Sequence, residues 1–150
     1  MGKLHEDEFT THKILFSEEK IAVINSPLYF YFQNEQGITK SKWTPKRLDM
    51  IDSVREQAQY LKDHGYAEAY RFAIRKYVYC LNKNITDLQN SDCDDKIKKQ
   101  FNGILTRQSI NFLWKYKGWY GKEELIALCY HCFPKTRNLY IKIRGCLARK

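Results

Sequence analysis

A chain of 150 residues, 43% hydrophobic and 15% aromatic, carries enough apolar material for one sizeable core and too much for a disordered segment. Its longest apolar runs, IAVI and LYFYF, fall far short of the roughly 20 residues of a membrane-spanning helix, and its acidic start lacks the basic and apolar stretches of a secretory leader. The 26 Lys and Arg against 17 Asp and Glu leave a net charge of +9, which predicts an anionic partner without naming it.

The first predicted element is a helix over 7–17, with Phe9, Ile14, Leu15 and Phe16 apolar and acids in its first turn, where the positive end of the helix dipole favours them. Two short strands are expected next. IAVI (21–24) is a β-branched run broken by Ser26-Pro27, and LYFYFQ (28–33) has the aromatic content of a second strand, closed by a turn at Gly37. From Thr44 the pattern turns helical: Thr44 suits an N-cap, Pro45 suits the first helical position, and Leu48, Ile51, Ala58 and Leu61 lie near one face until Gly65. A second helix over about 66–83 places Tyr70, Ala73, Ile74, Tyr77, Val78 and Leu81 at core spacing. A polar loop is expected over 84–94. Asp92, Cys93 and Asp94 then open a third helix carrying Ile97, Phe101, Ile104 and Leu105, and further helices are expected at about 107–117, 122–133 and 135–148, punctuated by Gly118, Gly121 and Pro134.

The expected fold class is therefore mainly α, with an N-terminal helix and a short two-stranded β element in residues 1–43 and a multi-helix array in 44–150, packed as one unit. The pattern contains no Gly-rich phosphate loop after a strand and no βαβ unit that could build a nucleotide pocket.

Cysteine usage points the same way. Cys80, Cys93, Cys129, Cys132 and Cys146 are odd in number and irregularly spaced, so reduced thiols are expected. Cys129-Tyr-His-Cys132 lacks the second ligand pair of a structural zinc site, which favours packed helical cysteines. Asp92-Cys93-Asp94 matches Asp-x-Asp as a string, but it sits at a helix start, where acids serve as caps. No metal or cofactor is assigned to this chain.

Residues 2–16, GKLHEDEFTTHKILF, set His5 before the three acids Glu6, Asp7 and Glu8. Acids at a helix start account for themselves, but their surroundings add information. The order His5-Glu6-Asp7, Ile21 to Ile24, Pro27, Tyr29-Phe30-Tyr31 and Gly37-Ile38-Thr39, within residues 4–41, resembles the end of the catalytic domain of family 2 glycosyltransferases. These are GT-A-fold enzymes that make bacterial polysaccharides and related glycans. RLDMIDSVREQAQYLKDHGYAEAYRFAIRKYVYC (47–80) is similar to the helical tail that follows this domain, so the resemblance runs to about residue 85.

That resemblance implies Asp7 as the general base, taking the proton of an acceptor hydroxyl as it attacks the anomeric carbon of a nucleotide sugar. It implies Glu6 and His5 as neighbours shaping the acceptor side, and a glycan or lipid-linked acceptor as partner. It further implies a preceding nucleotide-binding half with an Asp-x-Asp site and a divalent Mn or Mg ion. These 150 residues would then be a C-terminal portion, inactive alone, and the nucleotide sugar would bind only the complete enzyme. Two places depart from the family pattern: Phe32 stands where an Arg often follows the Tyr-x-Tyr strand, and Gln36-Gly37 replaces a Gly-Ser pair. The first omits a cation that could meet charge on the leaving group.

Residues 134–150 hold Lys135, Arg137, Lys142, Arg144, Arg149 and Lys150 without an acid. Such residues contribute about 1 kcal/mol each near an anionic lipid surface. A cytoplasmic location with peripheral attachment to the inner face of the plasma membrane is therefore expected. The alternative function is a non-enzymatic basic helical module that binds nucleic acid or another anionic partner. NFLWKYKGWYGK (111–122) supports it by interleaving Trp114, Tyr116, Trp119 and Tyr120 with Lys115, Lys117 and Lys122. Helical spacing turns half of those rings toward a core, which weighs against nucleic acid.

Overall fold

The computed structural model describes residues 2–30, 43–122, 126, 128 and 129. In chain order they form α1 (Glu6–Ser17), a 3₁₀ turn (Pro45–Leu48), α2 (Asp49–Asp63), α3 (Ala67–Gln89) and α4 (Asp95–Lys115), so the fold is mainly α. The expected two-stranded β element is not found: no strand forms among the described residues. Val23 and Phe30 are instead 93% and 86% exposed. Strand propensity largely measures packing on a half-buried pleated surface, and an isolated hairpin is marginal in water, so composition alone does not make IAVI a strand. Residues 31–42, including the turn expected at Gly37, lie outside the described residues.

Pro45 opens the 3₁₀ turn, with the Thr44 carbonyl accepting the Arg47 N–H at 3.0 Å, and the α-helix proper begins four residues later than the N-cap pattern suggests. Along α2, Ile51, Val54, Ala58 and Leu61 recur at helical spacing and are buried. Gly65 ends it with φ of 76°, while the Tyr66 N–H donates to the Leu61 carbonyl at 2.9 Å and the Gly65 N–H to the Lys62 carbonyl at 3.1 Å. This pair of bonds satisfies carbonyls that the last turn would leave open, and it requires a left-handed residue at that point.

The third element runs further than the polar residues of 84–94 suggest. Residues 84–89 continue α3 instead of forming a loop, because Ile85 and Leu88 extend the buried stripe of Tyr70, Ala73, Ile74, Tyr77, Val78 and Leu81. The buried Asn84 fits there by donating its amide to the Cys80 carbonyl at 3.0 Å. The fourth helix joins what the sequence divides in two. Asp94 caps it by accepting the Ile97 N–H at 2.8 Å, and Gly103 passes through without a break.

Helix α3 lies between α2 and α4, and α1 rests on α2. The core joins the α2 and α3 stripes to Trp43, Leu105, Phe112, Tyr116 and Leu128. The Phe112 ring meets Tyr77 edge-on at 5.0 Å and lies 4.9 Å from Tyr116, while Trp119 meets Tyr70 at 4.5 Å. Burial in this pile pushes the Tyr77 hydroxyl up to about 12. On α1 the inward face is Phe9, His12 and, partly, Phe16, whereas Ile14 and Leu15 stay 60% and 45% exposed.

Candidate functional site

The chain enters α1 through a strained residue. His5 takes a left-handed backbone (φ 61°, ψ 47°) at the N-cap, and its carbonyl accepts the Glu8 N–H at 3.1 Å. That conformation costs a non-glycine residue about 1–2 kcal/mol, so neighbouring contacts must hold it. The Leu4 N–H donates to Asp49 Oδ2 at 2.9 Å, and the Lys3 ammonium lies over the Phe9 ring, 4.0 Å from its centre. These contacts fix the start of α1 against the start of α2.

The three first-turn acids are used differently. Glu8 turns inward and pairs with Lys76 on α3. Glu6 and Asp7 face solvent, and their carboxylates have no ion pair or hydrogen bond among the described residues. Their backbone carbonyls are occupied by the Thr10 hydroxyl, at 3.1 Å from Glu6 and 3.4 Å from Asp7. So the structure places His5, Glu6 and Asp7 at one helix start, but among the described residues Glu6 and Asp7 do not line the cleft that His5 lines.

Of these three, His5 alone lines a cleft of about 260 Å³ formed with Arg47, Met50, Tyr79, Cys80, Lys83, Asn84 and Asp87. Asp87 is shared by two cations, Lys83 at 3.2 Å and Arg47 at 3.4 Å. Burial pushes the Cys80 thiol up to about 11, so it stays protonated and is a poor nucleophile. These cleft residues were not legible in the sequence. Lys83 and Asp87 are four apart on one helix face, which is a readable pair, but Arg47 and His5 reach them only through packing.

About two turns along α1 from His5, His12 is 3% exposed and wedged against the edge of Tyr60, with ring centres 5.2 Å apart. Neither ring nitrogen makes a well-formed hydrogen bond, although the nearby Glu8 carbonyl slightly favours the charged ring. Desolvation, followed by the neighbouring Lys13 charge, lowers its pKa. Lys13 in turn pairs with Glu56 on α2 and holds that carboxyl below its usual range.

The other sequence candidates take structural places. Asp94 of Asp92-Cys93-Asp94 is the α4 cap, and among the described residues no three His, Cys, Asp or Glu side chains converge as a metal site would need. Cys80, Cys93 and Cys129 are free thiols, while Cys132, Cys146 and the basic stretch 134–150 lie outside the described residues. Tyr116 is buried and the Tyr120 hydroxyl donates to the Leu113 carbonyl at 2.9 Å, whereas Trp114 is 79% exposed. Among the described residues no helix is long and apolar enough to cross a membrane. No protein-family model, curated protein or solved structure matches the chain.

Proposed function

We propose that the chain is the C-terminal portion of a family 2 glycosyltransferase and that Asp7 is its general base. The observation that carries this is the division of labour in the first turn of α1. Glu8 is taken up by Lys76, while Asp7 stands exposed, without a partner among the described residues, on a helix start pinned to α2 through Leu4 and Asp49. Asp7 is thus available to an outside hydroxyl, and the helix bearing it is held in place.

In the transfer, an acceptor O–H gives its proton to the Asp7 carboxylate as the oxygen bonds to the anomeric carbon. The bond from that carbon to the phosphate oxygen breaks, and a nucleoside diphosphate leaves. A divalent ion would be held by the donor half, not by these residues, and would there supply positive charge opposite the diphosphate. His5 and Glu6 flank the base on the acceptor side. The exposed apolar residues Ile14, Leu15, Ile21, Val23, Ile24, Leu28 and Phe30 support the same proposal, since a second folded body would take such side chains out of water.

The test begins with the DNA upstream of Met1, where an in-frame α/β segment bearing Asp-x-Asp is expected. With that segment joined, Asp7→Asn should lower kcat by about 10²–10⁴-fold, the range for loss of a general base, and leave the melting temperature unchanged. Glu6→Gln should cost far less. Retention of near-wild-type turnover by Asp7→Asn would remove the assignment. The chain alone should show no tight binding of a nucleoside diphosphate with manganese.

A further inference from the structure

We propose that a groove on the outer face of α2 binds a saccharide unit that carries a carboxylate, a uronic acid. The groove holds about 380 Å³, and Asp52, Arg55, Glu56 and Gln59 line it along α2. Lys3 and Phe9 join them from the start of the chain, and Lys115 from the end of α4. Asp7 is not among these lining residues, so the site stands apart from the proposed base and neither depends on the other.

The α2 residues fall at steps of three and four, which puts them on one helix face. Asp52 accepts a bond from Arg55 at 2.7 Å, Glu56 is paired with Lys13, and the Gln59 amide donates to Asp63 at 2.7 Å. Each side chain is anchored by one partner and keeps further capacity: carboxylate lone pairs on Asp52 and Glu56, the carbonyl of Gln59, and the remaining N–H groups of Arg55. Acceptors and donors thus alternate along a short path. A hydroxyl both donates and accepts, so a ligand rich in hydroxyls can satisfy both kinds. An ionised phosphate only accepts, and it would turn its oxygens toward two carboxylates. A simple ammonium only donates, and it would meet Arg55 and two lysines.

Charge adds the acidic group. Asp52 and Glu56 are each bonded to a cation, Arg55 and Lys13. Lys3 and Lys115 are not bonded in this way. The Lys3 ammonium lies over the Phe9 ring and acts on Glu56 only through space, the Lys115 ammonium lies 5.4 Å from the centre of the Tyr116 ring, and neither forms an ion pair among the described residues. Two ammonium groups therefore remain for a ligand carboxylate, to which they make charge-assisted bonds. A groove of this volume lies at the small end of the roughly 300–1,000 Å³ of ligand sites, which suits a short saccharide.

Titration of the isotope-labelled 150-residue chain, followed by amide shifts at constant ionic strength, tests the site. The probes are glucuronate, galacturonate and mannuronate, their neutral counterparts glucose, galactose and mannose, and acetyl-glutamate methylamide, which offers a carboxylate and peptide groups but no hydroxyl. At least one uronate should bind saturably and shift amides of α2 from Asp52 to Gln59. Its neutral counterpart and the glutamate derivative should each bind about tenfold more weakly or worse, through loss of the charged bonds or of the hydroxyls. Lys115→Gln should weaken that uronate by about tenfold and leave the neutral sugar unchanged, a split that a general loss of structure would not produce. Lys99→Gln, outside the groove, should change neither. A neutral sugar binding as tightly as its uronate would overturn the carboxylate assignment. Equal affinity for the glutamate derivative would overturn the saccharide in favour of an acidic peptide, and absence of saturable binding by every uronate would overturn the site. None of these measurements involves transfer, so the role of Asp7 is left to its own experiment.

Discussion

His12 is the residue through which mild acid reaches the fold. It faces Glu8 and Lys13 on its own helix and Glu56 and Tyr60 on α2, and burial outweighs the two carboxylates, so its folded pKa lies below the ordinary 6.5. The unfolded chain therefore takes up this proton first. The stability His12 contributes is complete above about pH 6.5 and is lost as pH falls from there through the folded pKa. Glu56 acts lower on the scale: its carboxyl is depressed by Lys13, so its contribution is complete above about 4.5 and is lost below that. Guanidinium midpoints at pH 7.5, 6.5 and 5.5 should fall with pH in the native chain and fall less in His12→Phe. Parallel curves for the two proteins would show that the ring is not the sensitive group. The histidine itself was visible in the sequence; its burial was not, because the helix pattern offers Ile14 and Leu15 as the apolar face and packing chose Phe9, His12 and Phe16 instead.

Helix limits follow side-chain burial more closely than local polarity. The stretch after Leu81 carries Asn82, Lys83, Asn84, Asp87 and Gln89, which suggests a loop, yet Ile85 and Leu88 are 1% exposed and hold it helical. Ile85→Ala should therefore cost about 2–4 kcal/mol, as large-to-small changes in a core do. Asp94→Ala, which removes a cap at an exposed helix end, should cost about 1 kcal/mol. Denaturant unfolding measures both, and a loss at Ile85 no larger than that at Asp94 would mean that the last turns of α3 add little to the core. The same end of α3 supplies Lys83, Asn84 and Asp87 to the cleft, so the extension that the local pattern hides also builds the candidate site. Caps and stops were easier to foresee. Asp94 and Gly65 act through chemistry confined to a few neighbouring residues, the first by its side-chain oxygen and the second by its freedom to hold positive φ.

Across the molecule, the apolar surface is unevenly covered. The interior is closed around α3, while Ile21, Val23, Ile24, Leu28 and Phe30 lie exposed. Exposed apolar side chains drive association or probe binding where they adjoin. A Val23→Asp, Phe30→Asp double variant should keep its melting temperature, since neither side chain enters the core, and should lower both dye binding and the mass measured by light scattering. A marked fall in stability would instead show that these residues pack against the rest of the chain.

By itself the sequence determined the helical class, the stripes of α2 and α3, the stop at Gly65 and the cap at Asp94, because each depends on spacing or on chemistry within a few residues. It also singled out Asp7 and its neighbours as a group. Tertiary structure decided that Glu8 would be bound by Lys76 while Asp7 stayed open, that His12 would be enclosed, and that His5, Arg47 and Lys83 would meet around one cleft. Those outcomes join residues tens of positions apart, and only the packing of one helix on another specifies them.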